Sequence, residues 1–68
     1  MKPYDTFVLL EDLNPSITKG MQGVILEIYD SDTLEVEFVK EDGSNYEYNH
    51  QFTFQIKVKS IQVIIPNF

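Results

Sequence analysis

KGMQGVILEIY (residues 19–29) and LEVEFV (residues 34–39) are the two segments that decide the fold of this chain. Lys19-Gly20 has the composition of a type II turn, whose third residue takes a positive φ that glycine adopts without steric cost. Gly23 stands at a strand entrance, where a missing side chain indicates a bulge or a close backbone approach. The two segments therefore predict a glycine turn that feeds two adjacent strands.

Alternation of apolar and polar residues extends this strand pattern along the chain. The predicted strands cover residues 4–10, 24–29, 34–39, 46–58 and 61–65, and Pro66 ends the last one. The clearest alternation is in the third strand, where apolar residues surround Glu35 and Glu37. Asp42-Gly43 predicts a hairpin turn. The long fourth strand is expected to bend or bulge at Asn49-His50-Gln51, because a barrel wall cannot stay straight over that length.

Five short strands with polar turns predict an all-β protein, a small five-stranded SH3-like partly open barrel that spans residues 1–68 as a single domain. The composition agrees, since alanine is absent and the apolar residues are mainly β-branched or aromatic. The chain contains no cysteine, which excludes disulfides and thiolate metal sites. The predicted core consists of Phe7, Leu9, Val24, Leu26, Ile28, Leu34, Val36, Phe38, Phe54, Ile56, Ile61 and Val63.

The charge of the chain limits its partners. Eleven carboxylates face five lysines in 68 residues, arginine is absent, and the net charge is −6. Nucleic acids and anionic membranes are bound largely through cations, so neither is expected as a direct partner, whereas a basic protein is. The chain has no apolar run of membrane-helix length and no signal-peptide pattern at its start, which predicts a cytoplasmic protein.

Motifs in the first two thirds of the chain resemble those of a known family. They are FVLLEDLNP (residues 7–15), Lys-Gly-x-x-Gly (residues 19–23), EVEF (residues 35–38) and Asp42-Gly43. Together they resemble an uncharacterised bacterial and archaeal family of small SH3-like domains, catalogued as a domain of unknown function. The resemblance covers most of residues 4–48 and fails beyond. The predicted strand over residues 46–58 is longer and more aromatic than the last strands that are usual in the family. It implies a barrel and a bacterial source, and it brings no established activity.

Two patterns that could carry catalysis or phosphate binding are better explained by backbone structure. Gly20 and Gly23 lack the Lys-Ser/Thr that a phosphate-binding loop requires after its glycines. His50 is the only histidine, and no nucleophile accompanies it in sequence. We therefore interpret His50 as a polar residue at a strand bend and not as a catalytic acid or base. No catalytic constellation emerges. The chain is therefore predicted not to be an enzyme, and no cofactor is expected.

Asp30, Asp32 and Glu35 resemble the beginning of a calcium-binding loop. A loop of the EF-hand type needs glycine at its sixth position and flanking helices, and this chain has Glu35 there and no predicted helix. Turn chemistry accounts for the two aspartates, because Asp side chains hydrogen-bond their own backbone in turns. A weak surface calcium site is the alternative.

The candidate partner-binding residues are glutamates and tyrosines of the predicted sheet. Glu27, Glu35, Glu37 and Glu47 share the outward parity and would form an acidic band if the central strands pair as hairpins. Such a band is either a solvated face, the default for a one-sided sheet, or a docking surface for a basic partner. Tyr29, Tyr46 and Tyr48 could line a peptide groove, although the last two also fall on the apolar parity and could belong to the core or the barrel rim.

The preferred hypothesis is a non-enzymatic protein–protein interaction module that works through its acidic sheet face or through an edge strand. It is expected to be a monomer or a weak homodimer, the latter paired through the strand over residues 46–58. A more specific version is an immunity or antitoxin-like protein that neutralises a basic toxin. A translation- or RNA-associated barrel of the KOW type is the other alternative, and its basic patch would need Lys19, Lys57 and Lys59.

Overall fold

The computed structural model describes residues 1–64. Its elements are β1 (Thr6–Leu9), β2 (Gln22–Ile28), β3 (Thr33–Phe38), β4 (Phe54–Lys57), a short 3₁₀ helix (Val58–Ser60) and β5 (Ile61–Val63). The all-β class and the five strands are confirmed. Ile65 and Pro66, the predicted end of the last strand, lie outside the described residues. None of the helical segments in residues 1–64 has the length and apolarity needed to cross a membrane.

All five strands belong to one antiparallel sheet in the order β4-β3-β2-β1-β5. β4 and β5 are therefore at opposite edges, although only residues 58–60 separate them in the chain. In a flat sheet these edges would be about 19 Å apart, at roughly 4.8 Å per strand. A three-residue 3₁₀ helix rises only about 6 Å. The sheet must curl, and the result is a small partly open barrel.

The predicted turns at the glycines are present. Gly20 has a φ of +96°, and the Met21 N–H donates to the Thr18 carbonyl at 3.2 Å, as in a type II turn. Gly43 has a φ of +88° in a three-residue loop that closes with the Lys40 N–H donating to the Ser44 carbonyl. At Gly23 an added Cβ would lie 2.6 Å from Phe7 Cζ and would collide with the Glu37 carbonyl oxygen. The missing side chain permits this close approach.

The pairing of β2 with β3 shifts by one residue near the middle of β2. Ile25 faces Val36 and Glu27 faces Glu35, so Leu26 is an extra residue on β2, a β-bulge. A bulge changes which side chains point inward, because the alternation has a period of two. Ile28, beyond the bulge, packs against the core as predicted.

The bulge explains where the predicted core is wrong. Val24 and Leu26 are half-buried and lie outside the core cluster, whereas Ile25 between them is fully buried.

Ile17 is also fully buried, although residues 11–18 form a loop. Asn14 Oδ1 accepts hydrogen bonds from the N–H groups of Ser16 and Ile17, which folds this loop inward.

The rest of the core prediction is confirmed, and an aromatic chain forms its centre. The Phe7 and Phe38 rings meet edge to face with centroids 5.5 Å apart. The Phe54 ring packs on the Phe38 ring with centroids 5.7 Å apart. Val63 is partly buried against this core. The buried residues that were predicted correctly are Phe7, Leu9, Leu34, Val36, Phe38, Phe54, Ile56 and Ile61.

The predicted long strand over residues 46–58 is wrong. Only Phe54–Lys57 is a strand, and residues 46–53 form an arch that we call the 46–53 arch. Tyr48 and Gln51 pair through two backbone hydrogen bonds of 3.0 Å, and both residues between them, Asn49 and His50, have positive φ. This two-residue turn is the predicted bend, and it breaks the strand instead of curving it.

Candidate functional site

The outward side of β2, β3 and β4 carries a row of polar side chains in register. Glu27 on β2 faces Glu35 on β3, and Glu35 faces Gln55 on β4. Two like charges directly opposite each other destabilise an antiparallel pair. We call this surface, with Tyr29 at the end of β2 and Glu37 further along β3, the acidic face.

Tyr29 holds the central carboxylate of the acidic face. Its hydroxyl donates to Glu35 Oε1 at 2.7 Å, and half of the Tyr29 side chain is exposed. This hydrogen bond raises the pKa of Tyr29 above its ordinary value, and the negative charges of Glu35 and Glu27 add to the shift. The phenol therefore keeps its proton to a higher pH than an ordinary tyrosine does, and its hydroxyl donates to one of the two carboxylate oxygens of Glu35.

Glu37 and Glu47 have different surroundings. Glu37 is half-buried and accepts a hydrogen bond from Asn45 Nδ2 at 2.8 Å. Its pairing partner on β2 is Val24. Glu47 is in the 46–53 arch instead of a strand, and its carboxylate is 3.6 Å from His50 Nδ1. The structure thus brings Glu27, Glu35 and Glu37 onto one sheet face, whereas Glu47 belongs to the 46–53 arch and not to a strand of that face.

The carboxylates within residues 1–64 form no close ion pairs with lysine. Within residues 1–64, which contain every lysine and every acidic residue, no lysine nitrogen comes within 4.0 Å of a carboxylate oxygen. Lys57 borders the acidic face but lies 3.4 Å from Thr33 Oγ1. The acidic face therefore retains its negative potential, which attracts cations from solution.

Tyr46 and Tyr48 are not part of an exposed aromatic groove. Both are partly buried and pack against the core. Lys40 Nζ lies 5.2 Å from the centre of the Tyr46 ring, a cation–π contact, at a cleft of about 550 Å³ beside the Gly20 turn. Of the three candidate tyrosines, Tyr29 alone belongs to the acidic face.

A second feature of the acidic face is a groove of about 600 Å³ between β3, β4 and the 46–53 arch. We call it the Phe52 groove, because Phe52, 52% exposed, is among the residues that line it. It is lined by Glu35, His50, Gln51, Phe52, Thr53 and Gln55. The sequence did not predict it, since continuous alternation through residues 46–58 gave no sign that Phe52 leaves the sheet.

Of the two aspartates of the calcium-like pattern, Asp30 stabilises the turn between β2 and β3 with its carboxylate. Asp30 Oδ1 accepts hydrogen bonds from the N–H groups of Asp32 at 2.8 Å and Thr33 at 2.9 Å. The hydrogen bond from Asp32, and then that from Thr33, lowers the pKa of Asp30. Turn chemistry thus accounts for this carboxylate. Within residues 1–64, acidic and histidine side chains nowhere gather in a group of three that could hold a metal ion.

Comparison with known proteins identifies a family. The model of a family described as a domain of unknown function, DUF4926, matches residues 4–50, more than half of the chain. The matched part contains β1, β2 and β3, and hence the three glutamates of the acidic face, but it ends before Phe52. No curated protein and no solved structure matches.

Proposed function

Because the chain belongs to the domain of unknown function family DUF4926, whose description assigns no activity, we propose from the geometry that it is a non-enzymatic protein-interaction module whose acidic face binds a basic protein. The observation that carries this proposal is the facing pair Glu27 and Glu35, with no lysine of residues 1–64 within ion-pair distance. A like-charge pair of this kind disfavours the isolated fold and is relieved when a cationic partner binds.

The acidic face also has the mixed chemistry of a protein interface. Tyr29 is half exposed beside the carboxylates, and Val24 presents a half-buried aliphatic surface next to Glu37. Aromatic and aliphatic contacts surrounded by polar groups are typical of protein–protein interfaces. The negative potential would speed association with a basic partner and would make the affinity depend on salt.

The acidic face supports binding better than an edge strand does. β4 has four residues and ends in Lys57, and β5 has three. Short edge strands that carry lysine resist pairing with other chains. The long edge over residues 46–58, through which a homodimer was expected to pair, does not exist as a strand.

The experiment is affinity capture from the native lysate with three forms of the protein. Glu27→Lys changes the acidic face, and Glu41→Lys makes the same charge change in the hairpin loop after β3. We expect basic proteins to be captured by the wild type and by Glu41→Lys and to be lost with Glu27→Lys. Equal capture by all three forms, or captured proteins that are not basic, would contradict the proposal.

A basic toxin would be one such partner, in which case the protein acts as an immunity or antitoxin-like protein. The RNA-associated alternative needs a basic patch, and Lys57 and Lys59 share a small cleft with Asp32. A gel-shift assay with RNA at low salt separates the two possibilities. We expect no retardation, because the few lysines release few counterions.

A further inference from the structure

The Phe52 groove has a chemistry that selects one kind of side chain within a basic partner. We propose that it receives an arginine side chain, whose guanidinium binds Glu35 and stacks against Phe52. This inference rests on the proposed function and specifies the contact at its centre. An arginine must come from the partner, since this chain has none.

The first argument is the state of the Glu35 carboxylate. Oε1 accepts the hydrogen bond from Tyr29, while no donor within residues 1–64 is assigned to Oε2. Glu27 lies opposite, so the local charge is negative, and no lysine of residues 1–64 lines the groove. A planar guanidinium with several N–H donors satisfies a carboxylate of this kind better than a compact ammonium does.

The second argument is the composition of the groove walls. Phe52 lines the groove and is 52% exposed, and arginine stacks on aromatic rings more often than lysine does. Gln51 and Gln55 also line the groove, and a glutamine side-chain oxygen can accept a hydrogen bond from a guanidinium N–H group. An exposed phenyl ring beside a carboxylate and two amides fits a cation that is both flat and rich in donors.

The third argument is that the groove is preformed. The Tyr48–Gln51 backbone pair fixes one wall, and Asn49 and His50 keep positive φ values of 52° and 65° in the turn. A two-residue hairpin turn requires positive φ at both central residues, and Asn and His tolerate this conformation better than most residues, so the turn holds a defined shape. Tyr29 fixes the opposite wall through Glu35. A preformed groove loses little entropy on binding.

The experiment is a titration of the ¹⁵N-labelled protein with blocked arginine (N-acetyl-arginine N-methylamide), followed by amide chemical shifts. Blocked citrulline, which is neutral and nearly isosteric, and blocked lysine are the matched probes. With arginine we expect chemical-shift changes around Glu35 and at residues 52–55. Lysine should bind more weakly, and citrulline should not bind. Glu35→Gln should weaken arginine binding about tenfold, as expected for loss of a charged hydrogen bond.

Two further variants complete the design. Phe52→Ala should weaken arginine binding about threefold, in line with an exposed cation–π contact, and Glu41→Gln should leave it unchanged. Equal binding of lysine or citrulline, or shifts that are insensitive to Glu35→Gln and Phe52→Ala, would overturn the inference. The same spectra show whether each variant is folded. If the arginine result fails while Glu27→Lys still abolishes capture of basic proteins, the proposed function stands without this contact.

Discussion

Replacing Glu27 with glutamine should stabilise the isolated protein. Glu27 faces Glu35 across the β2–β3 ladder, and the described residues place no lysine near enough to neutralise either carboxylate. The substitution keeps the size of the side chain and removes the repulsion. Glu27 is the better position to change because Glu35 also holds the hydrogen bond to Tyr29. A functional surface is a common place for such a loss of stability.

The magnitude follows from the geometry of the pair. Side chains directly opposite each other in an antiparallel ladder have Cβ atoms about 5 Å apart. Carboxylates on such residues are separated by about 6–8 Å, which gives a repulsion of about 0.5–0.7 kcal/mol at the dielectric constant of water. Glu27→Gln should therefore raise the free energy of unfolding by about 0.6 kcal/mol. For a domain of this size the melting temperature should rise by about 2–5 °C.

Thermal unfolding followed by circular dichroism measures this effect. The control is Glu41→Gln, which removes one charge from the hairpin loop and leaves the ladder intact. In about 1 M salt the difference between the two variants should disappear, because the screening length falls to about 3 Å. A Glu27→Gln protein no more stable than Glu41→Gln at low salt, or a gain that persists at high salt, would refute the reasoning.

Three other predictions test the close approach at Gly23, the hydrogen bond of Tyr29 and the turn hydrogen bonds of Asp30. Gly23→Ala should lower the free energy of unfolding by about 2–4 kcal/mol, because its Cβ would press on Phe7 and on the Glu37 carbonyl. Gly43 has positive φ, and its Cβ would meet open space, so Gly43→Ala should lower the free energy of unfolding by only about 1–2 kcal/mol. Urea unfolding measures both variants, and equal losses would contradict this account. The raised pKa of Tyr29 contributes stability that is present below its unfolded pKa of about 10 and is lost as pH rises through the folded value. Glu35→Gln should lower the Tyr29 pKa in an NMR titration, and an unchanged pKa would rule out the hydrogen bond. The lowered pKa of Asp30 contributes stability that is present above its unfolded pKa of about 3.9 and is lost as pH falls through the folded value. Asp30→Asn keeps the acceptor oxygen and should unfold less readily in acid, whereas the same acid midpoint as the wild type would contradict this role.

The parts of the fold that were predictable are those set by local chemistry. A positive φ at Gly20 and the close approach at Gly23 follow from what glycine alone can do. β3 was predictable because its apolar and acidic residues alternate without a fault. In each case a single residue type or a strict period decides the structure.

The errors arise where the pattern allowed two readings. Val24, Ile25 and Leu26 are all apolar, so parity could not tell which residue faces inward, and the bulge at Leu26 decided it. Ile17 lies in a loop with a local hydrogen bond to Asn14, and its burial in the core is a tertiary contact without a periodic signal. Alternation through the 46–53 arch gave the appearance of one long strand and concealed the exposed ring of Phe52.

The candidate site was predictable to the same extent. Outward parity placed Glu35 and Glu37 on one face of β3, and hairpin pairing brought Glu27 opposite Glu35. The hydrogen bond from Tyr29 and the Phe52 groove depend on side-chain positions across strands. No spacing in the sequence encodes those positions.

Zero-length cross-linking tests most directly whether the acidic face binds a basic protein. A carbodiimide joins carboxylates to lysines in contact, and mass spectrometry of the complex captured from the native lysate identifies which carboxylates have reacted. We predict cross-links from Glu27 and Glu37 to lysines of a basic partner, with the Glu27 links lost in Glu27→Gln. Glu35 should give none, because the guanidinium that it binds does not react with a carbodiimide. Cross-links confined to carboxylates away from the acidic face, such as Glu41 and Asp5, would contradict the account.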